Sequence, residues 1–223
     1  MTTSSSSPLH LDVLPPATLR AFEGLSSIPL LKQGGWYLAG GTALALQVGH
    51  RQSVDLDFFR TRSFQISNVE RSLFETGEWI TSLSQQGTLY GVFKSAKASF
   101  IAYPFFKPSR ERIHYGTISI LTPPDIAAMK VIAISQRGKK RDFIDLYWYC
   151  THVTPLEDVM RAAIAQYPNL DHNVPHFLKS LVYFEDAESD PMPNLFFKAD
   201  WKMVKAYFQR EVPTAAKKLL QLE

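Results

Sequence analysis

Apolar positions along this chain switch repeatedly between helical and strand spacing, and the switches divide it into elements. From residue 16 to about 32, Leu19, Phe22 and Leu25, then Leu30 and Leu31, recur at helical intervals and predict an amphipathic helix broken near Pro29. Residues 37–39 form a short apolar run, read as a strand. Residues 42–49 read as a helix and 54–59 as a second strand. Residues 65–76 place Ile66, Val69, Leu73 and Phe74 on one side of a further helix.

Between residues 79 and 120 the pattern changes. Gly87, Gly91 and the loop 107–112 punctuate the runs TLYGVF, SFIAYPFF and TISIL, which are short, aromatic and β-rich. They predict antiparallel strands extending a sheet. Beyond them the chain is helical. Thr122, Pro123, Pro124 and Asp125 make a helix start, with a capping residue, an early proline and an acid three positions on. That helix is expected to reach about Gly138, a second to run from 139 to 151, and others to cover 156–166, 174–184 and 198–221. The expected fold is α+β: a mixed or antiparallel sheet flanked by helices, with a helical C-terminal half. The expected organisation is a disordered Ser/Thr-rich tail at 1–9, a sheet-bearing core at 10–121, and a helical region at 122–223 packed on that core.

Composition narrows the class without naming a function. A chain of 223 residues, 45% hydrophobic and 20% charged, suits one soluble globular domain, or one with a helical extension. A net charge of +3 is too mild to argue for nucleic-acid binding. Cys150 is the only cysteine, which excludes an intrachain disulfide and fits a reducing cytosol. The N-terminus has neither the basic nor the apolar region of a signal peptide. No apolar run approaches the roughly 18 to 20 residues needed to span a bilayer. The expected location is cytoplasmic, with no membrane partner.

The chemistry is concentrated in WYLAGGTALALQVGHRQSVDLDFF, residues 36–59. Gly40 and Gly41 allow bare backbone to approach a ligand, and a helix starting there, at Thr42, aims free N–H groups at an anion. Asp55 and Asp57 are two apart, so on a strand both carboxylates face one way while Val54, Leu56 and Phe58 face the other. Two carboxylates that close repel unless protonated or bridged by a cation. A phosphate-binding turn beside a divalent-metal site is the chemistry of phosphoryl or nucleotidyl transfer. Arg51 and Ser53, just upstream, are candidates for phosphate contacts or for an exposed strand edge.

A second constellation spans residues 130–145. Lys130 is the only charge in an otherwise apolar helical run and needs an anionic partner. Arg137 lies two turns along the same face. In DFIDLYWYC the charges are Asp142 and Asp145. Either Lys130 and Asp145 form a buried ion pair with RGKKR (137–141) as a solvated turn, or Lys130 and Arg137 hold a triphosphate with Asp142 or Asp145 completing an acidic site.

Taken together, GGTALAL, HRQSVDLDFF and the K-x-x-A-x-x-x-R-x-x-x-R-D-x-x-D block from Lys130 to Asp145 resemble the AbiEii/AbiGii-type toxin nucleotidyltransferases of the DNA polymerase β-like superfamily. The resemblance covers about residues 35–150. It implies a nucleotidyltransferase-type sheet with the Gly-Gly turn and D-x-D on adjacent strands. It also implies Mg²⁺-dependent, two-metal transfer of a nucleotide from an NTP to an acceptor, in toxin members a tRNA end, and a separate antitoxin partner. By position, Asp55 and Asp57 become metal ligands, and Gly40, Gly41 and Thr42 the phosphate turn. Lys130 becomes a phosphate or catalytic lysine, and Asp142 a further acid. One departure stands out: the strand expected to carry a third carboxylate, SFIAYPFF, alternates Ser99, Ile101 and Tyr103 with no acid. Asp142 or Asp145 would then have to supply it, or activity is weakened, or the protein binds nucleotide, or a partner, without turnover.

The remaining candidates are weaker. His172 and His176 have the spacing of a helical zinc pair, but Pro175 lies between them and no acid or cysteine frames them. His50 reads as helix-terminal and Cys150 as core. Lys94, Lys97, Lys107, Arg110 and Arg112, with RGKKR, are candidates for an RNA-facing surface, weighed against an ordinary solvated face. The aromatic residues of the β-rich region read as core.

Overall fold

Three buried residues, Tyr37–Ala39, form β1, an inner strand of the sheet. The structure is a computed structural model, and it describes residues 9–109, 111–168 and 174–220. Residues 1–8 of the expected tail, His172 and Arg110 lie outside the described residues. The chain divides into two units, Met1–Pro104 with Ser109–Thr122, and Phe105–Pro108 with Pro123–Glu223.

The first unit opens with helices α1 (Pro16–Leu25) and α2 (Pro29–Gln33), separated where Pro29 starts a new first turn. After β1 come α3 (Gly40–Val48), β2 (Leu56–Arg60) and α4 (Ile66–Phe74). The strands β3 (Trp79–Gln85), β4 (Thr88–Phe93), β5 (Ala96–Ala102), β6 (Arg112–Tyr115) and β7 (Ile118–Leu121) complete a sheet of order β3-β4-β5-β2-β1-β7-β6. The expected antiparallel extension holds for β3–β4, β4–β5 and β6–β7. It fails at the two joins to the centre, because β5 runs parallel to β2 and β7 parallel to β1. The sheet is therefore mixed. Strand spacing in sequence cannot reveal which strands become neighbours after a crossover.

Phe100 of β5 sits at the middle of the apolar packing. It pairs in register with Phe58, stacks on that ring at 5.2 Å between centroids, and meets Trp36 and Trp79 edge-on at 5.3 and 6.0 Å. Gly91 lies under Trp79, and a Cβ there would come within 2.3 Å of the indole. Val54, expected on the strand, precedes it and is exposed, while its carbonyl accepts a hydrogen bond from Thr18.

The second unit is helical: α5 (Pro123–Arg137), α6 (Lys140–His152), α7 (Leu156–Gln166), α8 (Val174–Ser180), α9 (Glu185–Glu188) and α10 (Trp201–Leu219). The apolar helix α5 packs against α6, α7 and α8, as a helix hydrophobic on nearly every side must. Phe143 of α6 joins Phe184, Trp201 and Phe208 in an aromatic cluster with centroid distances of 5.3, 5.7 and 5.5 Å. No described helix is long and apolar enough to cross a membrane.

Candidate active site

The Gly-Gly turn begins α3 directly. Gly40 has φ of +73°, a left-handed conformation that glycine takes without strain, and Ala39 before it supplies no side-chain cap. The first amides of α3 therefore open beside the end of β1, at the positive end of the helix dipole. β2 lies antiparallel to β1 with Ala39 opposite Asp57. The Asp57 carboxylate consequently rests against the turn: Oδ2 is 3.5 Å from where a Cβ on Gly40 would stand. Helix start and carboxylate are thus neighbours through strand pairing alone.

Asp55 belongs to the segment leading into β2, and its backbone is held in place. The Thr42 hydroxyl donates to the Asp55 carbonyl and shares a 2.8 Å hydrogen bond with Ser53 Oγ. Arg51 Nη1 donates to the Gln52 carbonyl at 2.9 Å and to Ser53 Oγ at 3.4 Å. Arg51 and Ser53 are both buried, at 4% and 7% exposure. The exposed-edge reading of these two residues is corrected: they brace the approach to β2 from inside. The Thr42 side chain likewise faces this brace, leaving Gly40 and Gly41 as the backbone of the turn.

The strand β5 supplies a residue that sequence reading missed. Ser99 pairs with Asp57 in the parallel register, is buried, and donates its hydroxyl to Asp57 Oδ1 at 2.6 Å. A serine in an apolar strand carries no sequence signal for this role. It stands on the strand that was expected to bear a third acid, and it orients the second one.

Lys130, Arg137, Asp142 and Asp145 come together within the helical unit. Lys130 Nζ lies 2.6 Å from Asp142 Oδ1 and 2.7 Å from Asp145 Oδ2. Arg137 Nε lies 2.9 Å from Asp142 Oδ2. Both aspartates are fully buried, and Lys130 nearly so. Burial pushes the Asp142 carboxyl up, but the charges of Lys130 and Arg137 outweigh it and hold the group below its ordinary range. RGKKR is not a solvated turn throughout. Lys140 is buried, donates to the carbonyls of Glu188 and Asp190, and sits 5.3 Å from the centroid of the Trp201 ring.

Cys150 stands beside Tyr207, and burial pushes its thiol up to about 12. Among the described residues, no group of three or more His, Cys, Asp or Glu is arranged to share a metal ion. The Asp57 carboxylate stands at the turn, and Asp55 two residues before it is tied there through its backbone carbonyl. Mg²⁺ is commonly held by one or two carboxylates together with substrate phosphates, so this donor set fits an ion that arrives with a nucleotide.

A mixed sheet in which a glycine turn opens a helix from one inner strand, with the D-x-D leading into the antiparallel strand beside it, is the nucleotidyltransferase fold. The crystal structure of an inferred nucleotidyltransferase from H. pylori superposes with a TM-score of 0.54 at 18% identity, covering 94% of this chain and 99% of that one. The family described as nucleotidyl transferase AbiEii toxin, type IV TA system, matches residues 30–105 and 103–221. The chain belongs to that family. The match runs through the C-terminal helices, well past the 35–150 span that the motifs alone marked out. The uncharacterized protein aq_aa25 of Aquifex aeolicus (strain VF5) is 34% identical over 182 residues, 79% of this chain and 86% of that protein.

Proposed function

We propose that this chain is a Mg²⁺-dependent nucleotidyltransferase that moves a nucleotide from an NTP to an RNA acceptor such as tRNA, as the toxin of a toxin–antitoxin pair. The observation that carries this reading is the Asp57 carboxylate lying against the Gly40 turn at the open end of α3. Asp55 and Asp57 would hold the Mg²⁺, which when bound supplies charge neutralisation for the triphosphate and for the attacking oxygen. The amides of Gly40 and Gly41 would bind phosphate oxygens. Ser99 fixes the Asp57 carboxylate through Oδ1. The antitoxin, cytoplasmic location and RNA acceptor rest on the family.

Purified protein given Mg²⁺ and labelled NTPs should label an RNA pool, and Asp57→Asn should lower that labelling by several orders of magnitude without changing thermal stability. Transfer by Asp57→Asn at the wild-type rate would remove Asp57 from the site. Co-expression with the adjacent reading frame tests the toxin role: growth arrest relieved by the neighbour supports it.

One observation favours a second reading. Ser99 stands where a third acid was expected, which supports nucleotide binding without turnover. Stabilisation by Mg²⁺ and NTP with no transfer to any RNA would select it. For Lys130, Arg137 and Asp142 the mutual ion pairing supports a brace between α5 and α6 rather than direct phosphate contact. A variant such as Lys130→Met that loses stability but keeps its activity per folded molecule would settle them in that role.

A further inference from the structure

One face of the β3–β4–β5 sheet carries exposed apolar residues on β3 and β4 and is in strand register with Asp57 through the buried Ser99 of β5. Tyr90 of β4 pairs with Leu83 on one side and with Ser99 on the other, and Ser99 pairs with Asp57. Directly paired residues point to the same face, so Leu83, Tyr90, Ser99 and Asp57 form one row across four strands. The Ser99–Asp57 hydrogen bond is a direct sign of that shared face. A second row, Ile80, Val92 and Lys97, runs beside it. The register shift between Thr81 and Leu83 is what unites the patch. Without it Ile80 and Leu83, three apart, would face opposite sides. Ile80, Leu83 and Tyr90 are 70%, 45% and 38% exposed, while Leu89, Gly91 and Phe93 on the opposite face are buried.

We propose that this face is the platform for the acceptor, with the base of an unpaired polynucleotide end stacking on Tyr90 beside Leu83 and Ile80. The proposal rests on the nucleotidyltransferase reading of the Asp57 site and assigns the surface that leads into it. Two observations select a polynucleotide over a protein. Tyr90 stands two strand spacings from Asp57, about 10 Å, which places a base near the reacting end of a strand held at the carboxylates. The chain also has no aspartate or glutamate between Glu78 and Glu111, while Lys94 and Lys97 lie in that stretch. Lys97 is exposed in the row beside Tyr90, and Lys94 pairs with Glu78 at 3.8 Å. The strands β3 to β5 themselves therefore carry no carboxylate, and the acids that reach them, Glu70 at Thr81 and Glu78 at Lys94, are each engaged by a residue of this stretch. An exposed aromatic on a sheet with a nearby cation is the usual stacking platform for single strands.

The experiment measures binding of a short fluorescein-labelled single-stranded RNA to the full chain by anisotropy, without NTP. Tyr90→Ala should weaken binding roughly 5- to 100-fold, the loss expected for one base-stacking aromatic, and Tyr90→Phe should stay within about twofold of wild type. Lys97→Glu should also weaken it and reduce the salt dependence. Both side chains are exposed on this face, so melting temperature and the thermal shift by Mg²⁺ and NTP should be unchanged. Unaltered RNA affinity in Tyr90→Ala overturns the proposal, as does wild-type protein that binds Mg²⁺ and NTP but no RNA. Duplex RNA binding as tightly as the single strand also overturns it. So does a dimer in sedimentation that Ile80→Asp dissociates without altering RNA affinity, because the face would then be a protein contact. Failure of the nucleotidyltransferase reading appears elsewhere, as wild-type protein that neither binds nor transfers a nucleotide.

Discussion

Replacing Lys130 by methionine keeps most of the side-chain volume and removes the charge, leaving Asp142 and Asp145 fully buried around an apolar group. Each contact, at 2.6 and 2.7 Å, corresponds to about 6 kcal/mol of attraction at an effective dielectric of about 20. Desolvation of the three ions offsets much of this, so the net loss expected on breaking the cluster is about 3–5 kcal/mol. Arg137 still neutralises Asp142 in the variant, which favours the lower end. Urea unfolding followed by circular dichroism near pH 7.5 measures the loss. Its pH dependence is the sharper check. In the wild type, Asp142 has a depressed pKa, so its contribution is present above the ordinary carboxyl value near 3.9 and is lost as pH falls through the folded value. In the variant the two buried carboxylates share one cation fewer, Asp142 keeping only Arg137, so protonation costs the folded state less than it does in the wild type. The gap between variant and wild type should then narrow on moving from about pH 7.5 to about pH 5, by up to about 1.4 kcal/mol per pH unit for each proton bound. A loss below about 1 kcal/mol, or a gap that does not change with pH, would refute the view that this cluster holds α5 to α6.

Phe100→Ala should cost about 3–5 kcal/mol in denaturant titrations, since the ring meets Phe58, Trp36 and Trp79. A loss under about 1.5 kcal/mol would mean those rings close over the space. Cys150, its thiol pushed up to about 12 by burial, should resist iodoacetamide near pH 8 in the folded protein and react once urea unfolds it. Rapid labelling of the native protein would show the thiol to be accessible. Asp57→Asn, the variant that tests the transfer reaction, should leave the melting temperature within a few degrees of wild type, because the amide can still accept from Ser99.

The elements were largely legible because most announce themselves over a few residues. The break at Pro29, the helix over 156–166 and the strand at 37–39 follow from local spacing and proline chemistry. Boundaries moved where backbone pairing overrode it: α3 starts at Gly40 instead of Thr42, and β2 at Leu56 instead of Val54. The aromatic residues of the β-rich region divided. Trp79, Phe93 and Phe100 are core, as their pattern implied, while Tyr90 faces out. Alternation in TLYGVF separates two faces but does not say which one is covered.

By itself the sequence determined the motifs, the family to which they belong, and the demand that an isolated Lys130 find a buried anion. These are local matters, set by residue type and by spacing within one turn or one strand. Tertiary structure alone decided that both aspartates answer Lys130, that Arg51 and Ser53 turn inward, and that Ser99 holds Asp57. It also aligned Tyr90 with Asp57 across the sheet. Each of these depends on which strands or helices become neighbours and in what register. That is settled by closing the core over long sequence distances, where a shift of one residue exchanges one face of a strand for the other.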